Sequence, residues 1–182
     1  MNLLDTTIDR ITPQDAGARD RARARLDQLC MPHWALGRLM DLALDLAGIT
    51  GERAPAVGRK TIVTMAADHG VVARGVSRYP REVTVQMVRN FVRGGAGINV
   101  LARLAGARVV VVDLGVAGDL SDLADAGRIL SHRIGPGTRD MSAGPAMSRE
   151  QAQAALGAGI AVARELGPDT DVFGTGEMGI GN

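Results

Sequence analysis

The segment Arg108–Leu114, RVVVVDL, sets four valines in succession. Valine is stiff at χ1 and favours extended backbone. An unbroken apolar run lacks the alternation of a strand with one wet face, so both faces must be covered. That is the condition of a strand inside a parallel sheet with helices on either side, and it sets the fold class as α/β. Thr61–Ala67, TIVTMAA, is a second short β-branched run bounded by polar residues and reads as another buried strand. Leu130–Ile134 reads as a short third strand and Asp171–Gly174 as a last one. Between them, Val83–Val92 and Gly97–Leu104 read as helices parted by Gly94-Gly95. Ser148–Leu166 reads as a longer helix. Ser148 and Gln151 have the spacing of a capping box, and Gly167-Pro168 ends the helix. Its inward face is expected to carry Ala152, Ala155, Leu156, Ile160 and Ala163. Strands alternating with helices give a parallel sheet with flanking helices.

The first 58 residues have a different pattern and are expected to form a separate set of helices, with the α/β domain spanning 59–182. Asp15–Leu29 is highly charged, with Ala22, Leu26 and Leu29 at helical spacing. Trp34–Leu46 sets Leu36, Leu39, Met40, Ala43 and Leu46 along one stripe, flanked by Leu42 and Leu44. A loop is expected over Gly48–Gly58. At the other end, the last strand has no helix after it. A parallel sheet needs cover on both faces, so the α/β domain reads as incomplete at its C-terminus; cover supplied by a partner chain is the alternative.

Composition narrows the function. Hydrophobic residues make up 46%, yet Trp34, Tyr79, Phe91 and Phe173 are the only aromatics, so the core must be aliphatic. The net charge is +1 and the charges are interleaved, leaving no basic stripe to meet nucleic-acid phosphates. Cys30 is the single cysteine; no intrachain disulfide can form, which fits a reducing compartment. Its ordinary role would be a buried structural thiol. Met1–Arg10 lacks the apolar core of a signal peptide, and no run approaches the ~18 apolar residues that span a bilayer. A cytoplasmic location without membrane contact is expected.

Four segments carry candidate chemistry. Asp68-His69-Gly70 follows the first strand, at the carboxyl edge where open α/β sheets bind ligands; a turn with Asp68 bonded to local backbone is the ordinary alternative. His33 and His132 lie far from His69 in sequence, so no metal site is expected. Ser77, Tyr79 and Gln86 lie in GVSRYPREVTVQMVRNF, where a flat ring and an amide suit an aromatic heterocycle. Arg93–Gly97 precedes a helix and reads as close packing rather than as an anion site. Gly174–Gly179, GTGEMG, fits GxGxxG but lacks the helix, strand and acid of a dinucleotide site. Glu177 would oppose a pyrophosphate there; a carboxylate held by glycines at a strand's carboxyl edge is better suited to a cationic ligand or a proton.

Read together, MAADHGV (Met65–Val71), GVSRYPREVTVQMVRNF (Gly75–Phe91), GINVLAR (Gly97–Arg103), VVDLGV (Val111–Val116), GTRDM (Gly137–Met141), GPAMSREQA (Gly144–Ala152) and FGTGEMGIGN (Phe173–Asn182) resemble the nicotinate-nucleotide–dimethylbenzimidazole phosphoribosyltransferases, in order and at similar spacing. The resemblance implies a Rossmann-like domain plus a small domain of helices from both chain ends. It implies transfer of phosphoribose from nicotinate mononucleotide to 5,6-dimethylbenzimidazole, giving α-ribazole 5′-phosphate and nicotinate for cobalamin biosynthesis, by a homodimer needing no metal or other cofactor. It places Tyr79 and Gln86 at the base pocket. Met178 and Gly179 fall in a loop beside the nucleotide, and Ser77, Asp68 and His69 in the same substrate-binding region. Glu177 matches a glutamate implicated in activity. The family's principal base is a second glutamate farther along, beyond Asn182, so these 182 residues by themselves are expected to be inactive. Two rival readings stay open: a non-catalytic azole- or nucleotide-binding module, and a nicotinamide-dinucleotide enzyme built on GxGxxG.

Overall fold

The computed structural model describes residues 3–182. A short helix, α1 (Leu3–Ile8), comes first. The chain divides into two compact units, Thr6–Val57 and a larger one holding Gly58–Asn182. In the larger unit four strands, β1 (Lys60–Ala67), β2 (Ala107–Gly115), β3 (Leu130–Ser131) and β4 (Val172–Met178), form one parallel sheet in the order β3-β2-β1-β4.

The valine run works as its lack of alternation requires. Val109 and Val111 face one side of the sheet, where they meet Ala66, Val88, Phe91 and Leu120. Val110 and Val112 face the other, against Val63 and Val162. The first face is covered by α4 (Val83–Arg93), α5 (Gly97–Ala105) and the short α6 (Ser121–Asp125). The second is covered by α7 (Arg149–Leu166).

That division fixes where a ligand can sit. The chain passes from β1 to β2 through α4 and α5 on one face. It passes from β3 to β4 through α7 on the other, and β4 lands on the far side of β1 from β2. The connections therefore diverge between β1 and β4. In open α/β sheets the crevice outside the carboxyl ends of the strands at such a divergence is the usual ligand site.

Several boundaries differ from expectation. The third strand has two residues rather than five, Leu130 and Ser131, paired with Val112 and Asp113 of β2. The chain nevertheless stays beside β2: His132 N–H donates to the Asp113 carbonyl at 2.9 Å and Ile134 N–H to the Leu114 carbonyl at 2.8 Å. The last strand runs through the glycine-rich stretch to Met178 instead of stopping at Gly174. Glu177 is thus a strand residue, not a turn residue, opposite Met65 of β1. The inward face of α7 is Ala158 and Val162, with Leu156 at 57% exposure and Ala163 exposed. In a helix this rich in alanine, the sheet surface rather than the apolar pattern selects the buried side.

The capping box forms as expected. The Ser148 hydroxyl accepts the Gln151 N–H at 3.2 Å, and the Gln151 side chain accepts the Ser148 N–H at 2.8 Å. A Ser148→Ala variant is expected to lose about 1 kcal/mol, read as a lower urea midpoint at unchanged slope.

In the smaller unit, α2 (Ala16–Asp27) is capped by Asp15, whose carboxylate accepts the Ala18 N–H at 2.9 Å. The next helix, α3 (Arg38–Thr50), begins four residues later than Trp34, because Trp34 (φ 53°) and Gly37 (φ 52°) both take left-handed backbone. It buries Met40, Leu44 and Ala47 and leaves Leu39 and Leu42 exposed, with Leu36 exposed in the turn before it, so the expected stripe is rotated. Arg19 pairs with Asp45 across the two helices. Gly48, expected in the loop, is inside α3 and buried. Cys30 is exposed in the turn after α2 rather than buried, since the packed face of α2 runs through Ala18 and Ala22.

Candidate active site

Strand β1 delivers Asp68, His69 and Gly70 to the rim of the sheet. Asp68 is 1% exposed and knits three segments together. Its N–H donates to the Gly115 carbonyl at 3.0 Å, and its carbonyl accepts the Thr138 N–H at 2.9 Å. One carboxylate oxygen accepts the Ala117 N–H at 2.7 Å; the other faces Arg81 Nε at 3.6 Å. Burial and these bonds give Asp68 a scaffolding role, but its partners Gly115, Ala117 and Thr138 are distant in sequence rather than the local backbone of the ordinary alternative. Arg81 in turn donates to the Pro136 carbonyl at 2.8 Å, fastening the 134–138 loop to the segment before α4.

Gly70 and Gly179 mark where backbones pass too closely for a side chain. A Cβ on Gly70 would lie 2.5 Å from the Arg139 carbonyl carbon. A Cβ on Gly179 would lie 2.0 Å from the Ala67 carbonyl oxygen and 2.6 Å from His69 Nε2. The chain end crosses directly over the end of β1 as a result. The Ile180 N–H then donates to the Thr84 hydroxyl at 3.1 Å, tying this crossing to α4.

His69 and Glu177 meet across the divergence point. His69 Nε2 lies 3.0 Å from Glu177 Oε1, and Asn182 donates its side-chain amide to Oε2. The Glu177 side chain is 42% exposed and that of His69 26%, so the carboxylate remains open to a ligand. Glycines 174 and 176 of the GxGxxG match lie within the strand, beneath Ile62 and Thr64. Strand packing accounts for them, and no phosphate-cradling turn forms.

Beside His69 lies a cavity of about 630 Å3. Its apolar walls are Ala67, Leu114, Ile134, Met147 and Ala155, and its polar groups are His69, Thr138, Arg139, Ser148 and Gln151. No carboxylate lines it. The Arg139 guanidinium has no hydrogen-bond or ion-pair partner among the described residues; only its backbone is engaged, through the Ala146 carbonyl at 2.8 Å and the Thr138 hydroxyl at 3.0 Å.

The remaining expected residues are placed differently. Ser77 accepts the Tyr79 N–H at 3.1 Å, Tyr79 is 66% exposed, and Gln86 is exposed on α4. None of the three lines the cavity. Met178 points away from Glu177 and packs into the aliphatic core under α4. Thr138, Arg139, Met147 and Gln151 were not among the expected site residues. Their signal was the paired segments GTRDM and GPAMSREQA, which bring a glycine-bounded loop and a helix start to the same rim. Among the described residues no group of three or more His, Cys, Asp or Glu side chains could hold a metal, and no helix is long and apolar enough to cross a membrane.

Asp140, next to Arg139, is held at about 2, below the ordinary 3.8, first by the Ser142 hydroxyl, then by Arg74 and the Ser142 N–H. Because the folded value is depressed, this anchor stabilises the loop fully above pH ~4 and is lost as pH falls through 2. A carboxyl NMR titration of Asp140 is expected to show the low midpoint; one at the ordinary value of 3.8 would contradict it.

A family model described as Phosphoribosyltransferase matches residues 11–182. A nicotinate-nucleotide–dimethylbenzimidazole phosphoribosyltransferase of Syntrophotalea carbinolica is 63% identical over all of this chain and 52% of its own length. One from Desulfotalea psychrophila is 56% identical over all of this chain and 51% of its own. The chain spans about half the length of the curated relatives it matches. The crystal structure of the enzyme so named from Thermus thermophilus superposes with a TM-score of 0.86 at 47% identity, covering 92% of this chain and 50% of that one.

Proposed function

Because the chain belongs to this phosphoribosyltransferase family, we propose that the whole protein moves phosphoribose from nicotinate mononucleotide to dimethylbenzimidazole or a related azole. The observation that carries the reading is the His69–Glu177 pair, an open carboxylate at the rim where β1 and β4 diverge. A ring nitrogen of the azole attacks the anomeric carbon of the ribose. The bond from that carbon to the pyridinium nitrogen breaks, and its electron pair neutralises the departing ring. The new azolium loses the proton on its other nitrogen to a carboxylate. The leaving ring already carries a positive charge, so acid assistance is small and positioning supplies most of the acceleration.

In this reading Glu177 is an auxiliary carboxylate that stabilises the developing azolium, and His69 holds it in place. Tyr79 and Gln86, on the segment tied through Thr84 to the chain end, contribute to the acceptor side. Gly179 lets the chain pass close to the nucleotide, and Asp68 and Ser77 shape the surrounding loops. A cytoplasmic homodimer is the proposed working form, with sedimentation velocity as the check on assembly.

The test is release of nicotinate from nicotinate mononucleotide by the whole protein. Release that depends on dimethylbenzimidazole and yields α-ribazole 5′-phosphate is the expected result. Azole binding without turnover would replace the reading with that of a binding module.

A further inference from the structure

We propose that Arg81 is a positioning residue for the transfer: its guanidinium sets the rim loop 134–138, and through that loop the His69–Glu177 pair. The proposal rests on the phosphoribosyl-transfer reading, in which Glu177 is the auxiliary carboxylate.

The path begins at the guanidinium. One Nη group donates to the Pro136 carbonyl at 2.8 Å, and Nε stands 3.6 Å from the buried Asp68 carboxylate. The loop is shaped around this group. Gly137 takes left-handed backbone (φ 93°), and a Cβ there would lie 2.8 Å from the guanidinium. Thr138 comes next and clamps both neighbours of His69. Its N–H donates to the Asp68 carbonyl at 2.9 Å, and its hydroxyl accepts the Gly70 N–H at 3.3 Å. One residue of the loop that Arg81 holds therefore fixes the backbone on either side of His69. The His69 ring in turn meets Glu177 Oε1 at 3.0 Å.

The contact with Asp68 is poorly made for a simple fastener. Asp68 Oδ1 and Arg81 Nε are both buried, and neither atom has a hydrogen-bond partner among the described residues. Buried charged groups that face each other without closing a bond cost stability rather than adding to it. Arg89, farther along on α4, shows the ordinary arrangement: it meets Asp122 through hydrogen bonds of 2.7 and 2.9 Å. A buried polar group left unsatisfied beside a reactive pair needs a reason other than stability. Placement of the loop supplies one. A displacement of about 1 Å at a reacting centre can cost about a hundredfold in rate, even when its cause lies away from the chemistry. Arg81 acts on where Glu177 stands, not on how tightly the nucleotide is held, so its loss falls on kcat rather than on KM.

The experiment measures kcat and KM of the whole protein, with urea unfolding alongside, for Arg81→Ala, Glu177→Gln and the double variant. Arg81→Ala is expected to lower kcat about tenfold, with KM for nicotinate mononucleotide changed by less than about twofold. In the double variant the two losses should not multiply. Its kcat should fall about a hundredfold, as in Glu177→Gln alone, because Arg81 acts through the pair that the second change has already disabled. Arg89→Ala is the control: it breaks the better-made ion pair and should leave kcat unchanged. Should Arg81→Ala fail to fold, Arg81→Lys, which keeps the charge and loses the planar fork, enters the same cycle with an expected loss of about threefold. An unchanged kcat, a rise in KM that carries the whole loss, an equal fall of kcat in Arg89→Ala, or a double variant slowed about a thousandfold would each overturn the role of Arg81. Transfer by the unaltered protein would leave the phosphoribosyl reading standing in all four cases. No transfer by the unaltered protein would overturn that reading, and the role of Arg81 with it.

Discussion

A Gly179→Ala variant is expected to lose about 3 kcal/mol of stability and to break the His69–Glu177 contact. The added methyl carbon would lie 2.0 Å from the Ala67 carbonyl oxygen and 2.6 Å from His69 Nε2. The carbonyl belongs to the last residue of β1, so its backbone cannot retreat without disturbing the strand. His69 can move, but only by leaving Glu177. Gly157→Ala is the control, because a Cβ there meets nothing within 4 Å and the residue lies inside α7. Alanine favours helix by about 1 kcal/mol over glycine, so this variant should gain stability. Urea unfolding of the two should therefore shift in opposite directions. Coincident midpoints would mean that the crossing over β1 is not as close as described.

Glu177→Gln in the whole protein is expected to lower kcat about a hundredfold, the lower end of what removing one preorganised electrostatic stabiliser costs. KM for nicotinate mononucleotide should change little by comparison, because the shape of the rim is retained. The side chain is 42% exposed and its partners are His69 and Asn182, so the amide costs the core nothing. Glutamine can still bond His69 but cannot carry the charge that the azolium needs. Steady-state kinetics with saturating azole provides the measurement. An unchanged kcat would remove Glu177 from the chemistry and leave it as a packing residue of the rim.

Much of the α/β unit was legible in the chain because its elements have strong local causes. Four valines in succession cannot alternate, so β2 had to be covered on both faces. Ser148 and Gln151 cap each other whatever the rest of the chain does. Gly94 and Gly106 end α4 and α5 in left-handed backbone, where the apolar pattern also breaks. The helices of the smaller unit were legible only as helices. In α3 leucines occupy most sides, so the pattern does not choose a face. Leu44 and Ala47 are inward because α2 offers Ala22 and Leu26 to them.

The candidate site was half legible. His69 and Glu177 were singled out separately, each for its place at a strand end, but nothing in the chain joined residues 108 positions apart. The glycines around Glu177 suggested a turn, whereas parallel pairing with β1 keeps the segment extended through Met178. Met178 was expected beside the substrate; strand alternation sends it to the opposite face from Glu177, into the core.

From its own residues, then, the chain determined a covered parallel sheet, the ends of its main helices and the carboxyl-edge location of its reactive groups, because covalent stiffness, capping and period act between near neighbours. Tertiary structure alone decided that β4 lies against β1 rather than beyond β3, that His69 meets Glu177, and that Arg139 is left without a counter-ion beside an aliphatic hollow. Those outcomes depend on which surfaces meet, and that competition among distant segments is settled only when the whole sheet has packed.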